Sequence, residues 1–488
     1  MFSYATPSVF RSDLERATLG FACDQARPLS FRGKLVRHIP IFRFALRALG
    51  QLIWSSDDDS RTLDPIVTVH PDRLIFEAFS SDLSSYGCLS IDVGNFALEG
   101  TPQWGTSNVD FTAWLWGALG ELRQSRETTL TLGPQGLGLE TVGAGGRFEP
   151  KVEVPEEWFR AFLEVQSAMT RPAIQLLLRP VDLLAPVRFL RYTKSRVSPR
   201  ALRYELRNGQ WSIILEPWEE VFPLRHKAFG QDPRVIRTWG RQRLRLIEPL
   251  LPFATGVEIT LLGRALPHFY RVDLPGMAFT LGLTGWGRQR FQQEAGYSLW
   301  QGLPQAVCEN ELEARRSELE QLRSAPPHPL DPELVRRGLA MYDLQARVYR
   351  YRPLTQQPLD LSKIYGQTDP RQERAASLQS EVTSCHPQET RKIRRLPGPN
   401  GSVEREVILR DWKVLGTCEG HNLELVVSEQ EQILFGRCGC EFFQKNLLQQ
   451  GPCEHLLSLF EASRSQRLDL PSSIAITVEK ASEDKDGE

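Results

Sequence analysis

The chain has 488 residues, of which 41% are hydrophobic and 24% charged, the balance of an ordinary globular protein with room for two to four domains. Eight cysteines are too few for a disulfide framework, and no run reaches the roughly 18 apolar residues of a spanning helix. The net charge of −1 is uneven: residues 186–250 carry 14 Lys/Arg against 6 Asp/Glu, a net of +8 that leaves −9 for the remainder.

The start, Met1-Phe-Ser-Tyr-Ala-Thr-Pro7, has no charged segment followed by an apolar core, so no signal peptide is expected and the cytoplasm follows. Residues 1–40 show little periodicity and read as a lead-in. A helix is predicted next, because Phe42, Ala45, Leu46, Leu49 and Ile53 share one face while Arg43 and Arg47 face away. Strands are predicted over 66–69, 73–79 and 88–93. The acids Asp57, Asp58 and Asp59 between them read as a solvated loop rather than a metal site. A helix over 112–124 and a hairpin of 128–132 with 137–139 follow. The glycine-rich turn 133–138 lacks the Lys-Ser/Thr of a phosphate loop. Pro155 starts a third helix, with Glu156 and Glu157 in its first turn.

The pattern then returns, with a helix predicted over 234–251 and strands over 257–262, 268–272 and 277–281, which suggests a divergent structural repeat. Residues 306–350 read as helical, with Asp331 and Pro332 opening the second helix, and Tyr349–Leu354 as a short strand. Residues 356–400 are polar and read as a loose linker, and the tail from Glu479 is acidic. The expected architecture is α+β: two N-terminal domains of helices and antiparallel sheet (41–185, and the basic 186–305), a helical segment (306–355), the linker (356–400), a small ββα unit (401–466) and an acidic tail (467–488).

The chemistry is concentrated near the end, in Cys438-Gly-Cys440 and Cys453-Glu-His455. Zinc takes four thiolate or imidazole ligands tetrahedrally, and a Cys3His set closes its coordination shell and leaves no position for water. The run 432–435 reads as a strand, so Cys438 and Cys440 leave it two residues apart, and Gly439 permits a sharp bend. Pro452 opens a helix whose N-terminus would favour the Cys453 thiolate. Residues 422–427 supply a second strand and 428–431 a turn. Cys418 and His421 read as loop residues outside the ligand set, and Cys23, Cys88, Cys308 and Cys385 as isolated reduced thiols.

Cys-x-Cys, twelve residues, then Cys-x-His on a ββα frame resembles the SWIM zinc finger at all four positions, over roughly residues 405–465. The resemblance implies one structural zinc ion and a module for DNA binding or protein contact. The rest of the chain resembles uncharacterised bacterial proteins with a C-terminal SWIM finger, through Gly105-Thr-Ser-Asn-Val-Asp-Phe111 and Thr280-Leu-Gly-Leu-Thr-Gly-Trp286. By analogy such proteins act beside MoxR-type AAA ATPases and von Willebrand factor A proteins.

No catalytic constellation is present, so a non-enzymatic role is expected. Two readings stand. One is an adaptor that presents the finger and the 306–350 segment to a protein partner. The other is sequence-independent DNA or RNA binding through the basic segment 188–207, with Arg191, Lys194, Arg196 and Arg200 neutralising phosphates and Tyr192 and Tyr204 stacking on bases.

Overall fold

The structure is a computed structural model. It describes residues 8–23, 29–54, 64–81, 83–133, 156–169, 173–194, 201–227, 234–262, 267–284, 338–354, 370–398, 401–428, 433–448, 452–468 and 475–477. The expected lead-in contains three strands, β1 (Val9–Ser12), β2 (Arg16–Ala22) and β3 (Phe31–Leu35). Helix α1 (Ile39–Ile53) follows, with Pro40 in its first turn and Phe42, Ala45, Leu46, Leu49 and Ile53 buried as the spacing predicts. Then come β4 (Ile66–Val69), β5 (Arg73–Phe79), β6 (Ser85–Asp92), β7 (Phe96–Leu98), β8 (Gly105–Asn108), α2 (Ala113–Ala118) and β9 (Glu127–Gly133). The second strand of the expected hairpin, 137–139, lies outside the described residues, and β9 is paired along both edges. It pairs in parallel with β2 and antiparallel with β3, in a sheet ordered β1-β2-β9-β3-β7.

Beyond α3 (Glu156–Met169), β10 (Ile174–Leu178) and α4 (Pro180–Tyr192), four strands form a second small sheet: β11 (Leu202–Arg207), β12 (Gln210–Leu215), β13 (Glu220–Lys227) and β14 (Arg234–Thr238). The helix predicted from Arg234 is therefore a correction. Val235, Ile236 and Thr238 are β-branched and pair with β11, and Gly240, at φ 81°, turns the chain into two 3-10 segments, 241–246 and 248–253. Pro249 and Pro252 in the second segment disfavour a continuous α-helix.

Next come β15 (Gly256–Leu261), β16 (His268–Leu274) and β17 (Met277–Leu283). The largest sheet runs β10-β15-β16-β17-β6-β5-β4-β8. Its order reads the same from both edges: a flanking strand, then a three-strand meander, meeting its counterpart where β6 pairs with β17 from Ser85↔Leu283 to Ile91↔Met277. The two meanders β4–β5–β6 and β15–β16–β17 face each other across this seam, but the flanking strand follows the first meander in sequence (β8) and precedes the second (β10), and the two expected α+β units share one continuous sheet. Helix α1 approaches this seam closely: a Cβ on Gly87 would lie 2.9 Å from Leu49 Cδ1 and 3.3 Å from Leu52 Cδ1. One face of the sheet carries the main core with α1, α4 and the 3-10 segments. On the other, Phe79, Tyr86 and Phe269 pack with Trp158 and Phe162 of α3.

Leu344 and Leu354 join that second core from a hairpin of β18 (Ala340–Asp343), where a helix had been expected, and β19 (Val348–Tyr351), which overlaps the expected short strand. Arg350 fixes it, reaching Asp72 at 2.8 and 3.0 Å and Asp343 at 2.6 Å. The helix opening at Asp331 lies outside the described residues, as do Asp57, Asp58, Asp59 and the acidic tail from Glu479.

The stretch expected to be a linker holds α5 (Pro370–Ser377) and β20 (Glu381–Gly398). There follow β21 (Gly401–Cys418), β22 (His421–Ser428), β23 (Ile433–Arg437), α6 (Glu441–Asn446), α7 (Glu454–Ala462), α8 (Arg464–Leu468) and β24 (Ala475–Thr477). The sheet order is β20-β21-β22-β23, with β24 on β21, and Trp412, Val414, Leu423 and Leu425 pack beneath Leu456 and Leu459 of α7. No helix among the described residues is long and apolar enough to cross a membrane.

Candidate metal centre

The strand-to-helix transitions place the ligands. Cys438 leaves the end of β23, and Cys440 is the N-cap of α6, extended at φ −72° and ψ 157°. Cys453 is the N-cap of α7 at φ −72° and ψ 167°, one residue after Pro452, and His455 sits in the first turn of α7. The donor atoms of Cys438, Cys440, Cys453 and His455 all lie within 4.8 Å of one another, and all four residues are buried. The α6 turn within the twelve-residue spacer has no counterpart in the sequence reading.

Backbone N–H groups point at the sulfurs. Cys440 N donates to Cys438 Sγ at 3.4 Å and Phe443 N to Cys440 Sγ at 3.4 Å, and the Leu456 N–H serves Cys453 in the same way. Such donors stabilise thiolate over thiol. His455 turns Nδ1 toward Cys438 Sγ, 3.9 Å away, and Nε2 toward Glu419 Oε2 at 3.2 Å. A carboxylate on the far nitrogen fixes the ring orientation and tautomer of a metal-binding histidine and leaves Nδ1 free to ligate.

Glu419 occupies the β21–β22 turn at φ 46° and meets Arg374 of α5, with both carboxylate oxygens 3.3 Å from Nη2. Its hydrogen bond to His455, reinforced by Arg374, holds Glu419 below the usual carboxylate range. Arg371, on the same helix, reaches Pro452 O at 3.4 Å and lies over the Phe442 ring at 4.8 Å. Helix α5 thus contacts both sides of the centre. Cys418 and His421, expected on a loop, form the last pair of the β21–β22 ladder. The His421 ring stands 4.8 Å from that of His455, and a Cβ on Gly439 would lie 3.3 Å from His421 Nδ1, so His421 walls the centre rather than joining its four donors.

The electrostatics call for a cation. The Cys453 thiol shares its proton with Cys438, which pushes Cys438 down to about 5. The same hydrogen bond, together with burial, drives Cys453 far up, and burial raises Cys440. Proton sharing therefore supports one thiolate and opposes the second and third. A divalent ion among the sulfurs reverses that order, because it places a positive charge directly against all three. Three thiolates and one imidazole, with no carboxylate among the four donors found in the described residues, suit a single borderline-soft metal. The residues present fit one such ion.

The basic segment is arranged differently from the sequence expectation. Arg191, 58% exposed, lies 3.1 Å from Glu248, and Lys194 is exposed, but Arg196 and Arg200 lie outside the described residues. Arg203 is buried among Glu205, Glu216 and Glu219 at 3.0, 3.2 and 2.6 Å, and Arg237 meets Glu216 at 2.7 Å. Burial alone would raise Glu216, yet Arg237 and Arg203 outweigh it and hold the carboxyl below its ordinary value. Tyr204 is buried with its hydroxyl 2.6 Å from that of Tyr270, so it offers no ring to a base. Several of these cations serve the interior.

No family model matches the sequence, and no curated protein resembles it. Among solved structures, a proliferating cellular nuclear antigen of Entamoeba histolytica aligns at 12% identity over 52% of this chain and 97% of its own, with a TM-score of 0.35. The antigen of Thermococcus kodakaraensis aligns at 11% identity over 52% and 98%, also at 0.35. Likeness at this level assigns neither fold nor function.

Proposed function

We propose that the C-terminal unit is a SWIM-type finger in which Cys438, Cys440, Cys453 and His455 hold one structural zinc ion, and that the chain is a non-enzymatic interaction module. The observation that carries this reading is the buried Cys3His cluster with Glu419 behind His455. Four protein ligands leave the ion no water to activate, so its role is to hold β23, α6 and α7 together rather than to perform a reaction. The role of adaptor in a protein or protein–nucleic acid assembly rests on the resemblance, as does the association with an AAA ATPase and a von Willebrand factor A protein. The alternative, nucleic-acid binding through 188–207, retains Arg191 and Lys194 as exposed cations at the end of α4.

Elemental analysis of the purified chain should find one zinc per molecule. Cys440→Ser or Cys453→Ser should abolish it and melt the finger while the eight-stranded sheet stays folded, since metal binding and local folding are coupled by ~10–16 kcal/mol in small zinc fingers. Unchanged zinc in both variants would overturn the assignment. For the basic segment, replacing Arg191, Lys194, Arg196 and Arg200 with Gln should flatten the salt dependence of binding to random DNA; unchanged binding removes that alternative.

A further inference from the structure

Arg350, Arg203 and Arg352 are each buried beside carboxylates, and the first two are satisfied in the same way. Arg350 turns Nε to Asp343 at 2.6 Å and both Nη atoms to Asp72 at 2.8 and 3.0 Å. Arg203 turns Nε to Glu205 at 3.0 Å and both Nη atoms to Glu219 at 2.8 and 2.6 Å, with Glu216 also on Nη1 at 3.2 Å. One carboxylate beside Nε and a second held bidentate across the Nη pair match the planar fork of donors that a guanidinium presents.

Arg352, two residues beyond Arg350 on the same hairpin, shows only the first half of this pattern. Its Nε lies 3.1 Å from Glu77 Oε2, with the two side chains 1% and 0% exposed. Nη1 and Nη2 meet no hydrogen-bond acceptor among the described residues. A guanidinium does not shed its proton, so burial cannot relieve the site by neutralising it, and buried donors of this kind are ordinarily paired. Glu77 is not free to turn toward them, because its Oε1 accepts from the Tyr86 hydroxyl at 2.7 Å and from Gln166 Nε2 at 3.2 Å. The Phe162 ring covers one face of the guanidinium, its centroid 5.1 Å from Cζ.

The surroundings narrow the chemistry of the acceptor. Cys88 of β6, the direct cross-strand partner of Glu77, is only partly buried, so the sheet beside Glu77 is not sealed from solvent. The second core around the guanidinium is otherwise apolar, with Phe79, Phe162 and Leu354, which suits a short hydrocarbon body and penalises a second charge. One cation between two carboxylates is a balance the fold already accepts at Arg350, between Asp72 and Asp343.

We propose that Arg352 binds the carboxylate of a small monocarboxylic acid, held across Nη1 and Nη2 as Asp72 is held by Arg350 and Glu219 by Arg203. The site lies in the second core, outside the Cys3His cluster and outside segment 188–207, and does not depend on either.

The test uses the full chain and saturation-transfer NMR of propionate at constant ionic strength. Propionate should bind saturably, and propionamide, of similar shape but uncharged, at least about tenfold more weakly. Arg352→Lys keeps the charge but not the fork and should weaken propionate binding at least about tenfold. Arg347→Lys, at a 53% exposed position on the same hairpin, should change it less than about twofold. Where Arg352→Lys does not fold, Glu77→Gln is measured instead: it keeps the guanidinium, removes the competing anion and should tighten propionate binding at least about threefold. Equal binding of propionate and propionamide, stronger competition by phosphate than by acetate, full affinity in Arg352→Lys, weaker binding in Glu77→Gln, or no saturable binding of propionate would each overturn the proposal.

Discussion

Two buried clusters of ionisable groups in this chain have opposite logic. Around Glu216 in the second small sheet, Arg203 and Arg237 face Glu205, Glu216 and Glu219, and the carboxylate stays ionised because its counter-charges are covalently part of the fold. In the C-terminal unit, three thiols and an imidazole come together with no internal cation among the donors, and burial and proton sharing favour the neutral form of two of the thiols. A cluster of mixed sign is complete as folded. One built only from groups that become anionic or neutral ligands is complete when an ion joins it.

The comparison is broken most forcefully at Glu216. Glu216→Gln removes the carboxylate between two buried guanidinium groups and should cost about 3–5 kcal/mol in denaturant unfolding, with metal content unchanged. Equal stability of variant and wild type would mean that the Arg203–Arg237 cluster does not depend on this charge.

A pH titration sharpens the contrast. His70 lies beside Arg350, Asp72 and Asp343, and burial, aided by Arg350, lowers it to about 4. Its folded value lies below the unfolded one, so the stability it contributes is present above pH ~6.5 and lost as pH falls through ~4, by about 3 kcal/mol. Glu164 acts in the opposite sense. Burial raises it to about 8, so its contribution is present below pH ~4.5 and lost as pH rises through ~8. Because the two overlap, the informative quantity is the difference between wild type and His70→Gln. That difference should vary between pH 6.5 and 4, and a constant offset would remove His70 as its source.

The smallest effect belongs to the outer shell of the metal centre. Glu419→Gln should weaken metal retention against a chelator about tenfold, and Arg374→Ala by less, because Arg374 reaches His455 through Glu419. An unaltered affinity in Glu419→Gln would leave that hydrogen bond without a role in metal binding.

The four candidate ligands were legible because they fall within 18 residues and their spacing is set by a strand end and a helix start. Their support was not: Glu419 is an ordinary turn residue, and Arg374 lies on a helix hidden in a polar stretch. Composition suggested a linker over 356–400 because strand β20 is an edge strand rich in charge, with Pro387 and Pro397, which leaves few apolar positions to mark it. Residues 234–238 illustrate the reverse error. Apolar residues there fit a helical face, but β-branched side chains and the partner strand β11 decided for a strand. The meanders β4–β5–β6 and β15–β16–β17 were anticipated since each is local and strongly patterned, whereas the Arg203 and Arg350 clusters depend on contacts up to 278 residues apart.

The β6–β17 seam has a consequence for biosynthesis. Strand β6 ends at Asp92, while its neighbour begins at Met277. At about 5–20 residues per second, a ribosome needs roughly 10–40 s to deliver β17 after β6 has emerged. For that interval the nascent first half presents an open strand edge, Tyr86 to Ile91, to the crowded surroundings of the ribosome. Arrival of the second half closes the edge, so the halves act as chaperone and client within one polypeptide, and the yield of folded protein should depend on how quickly translation crosses the stretch between them.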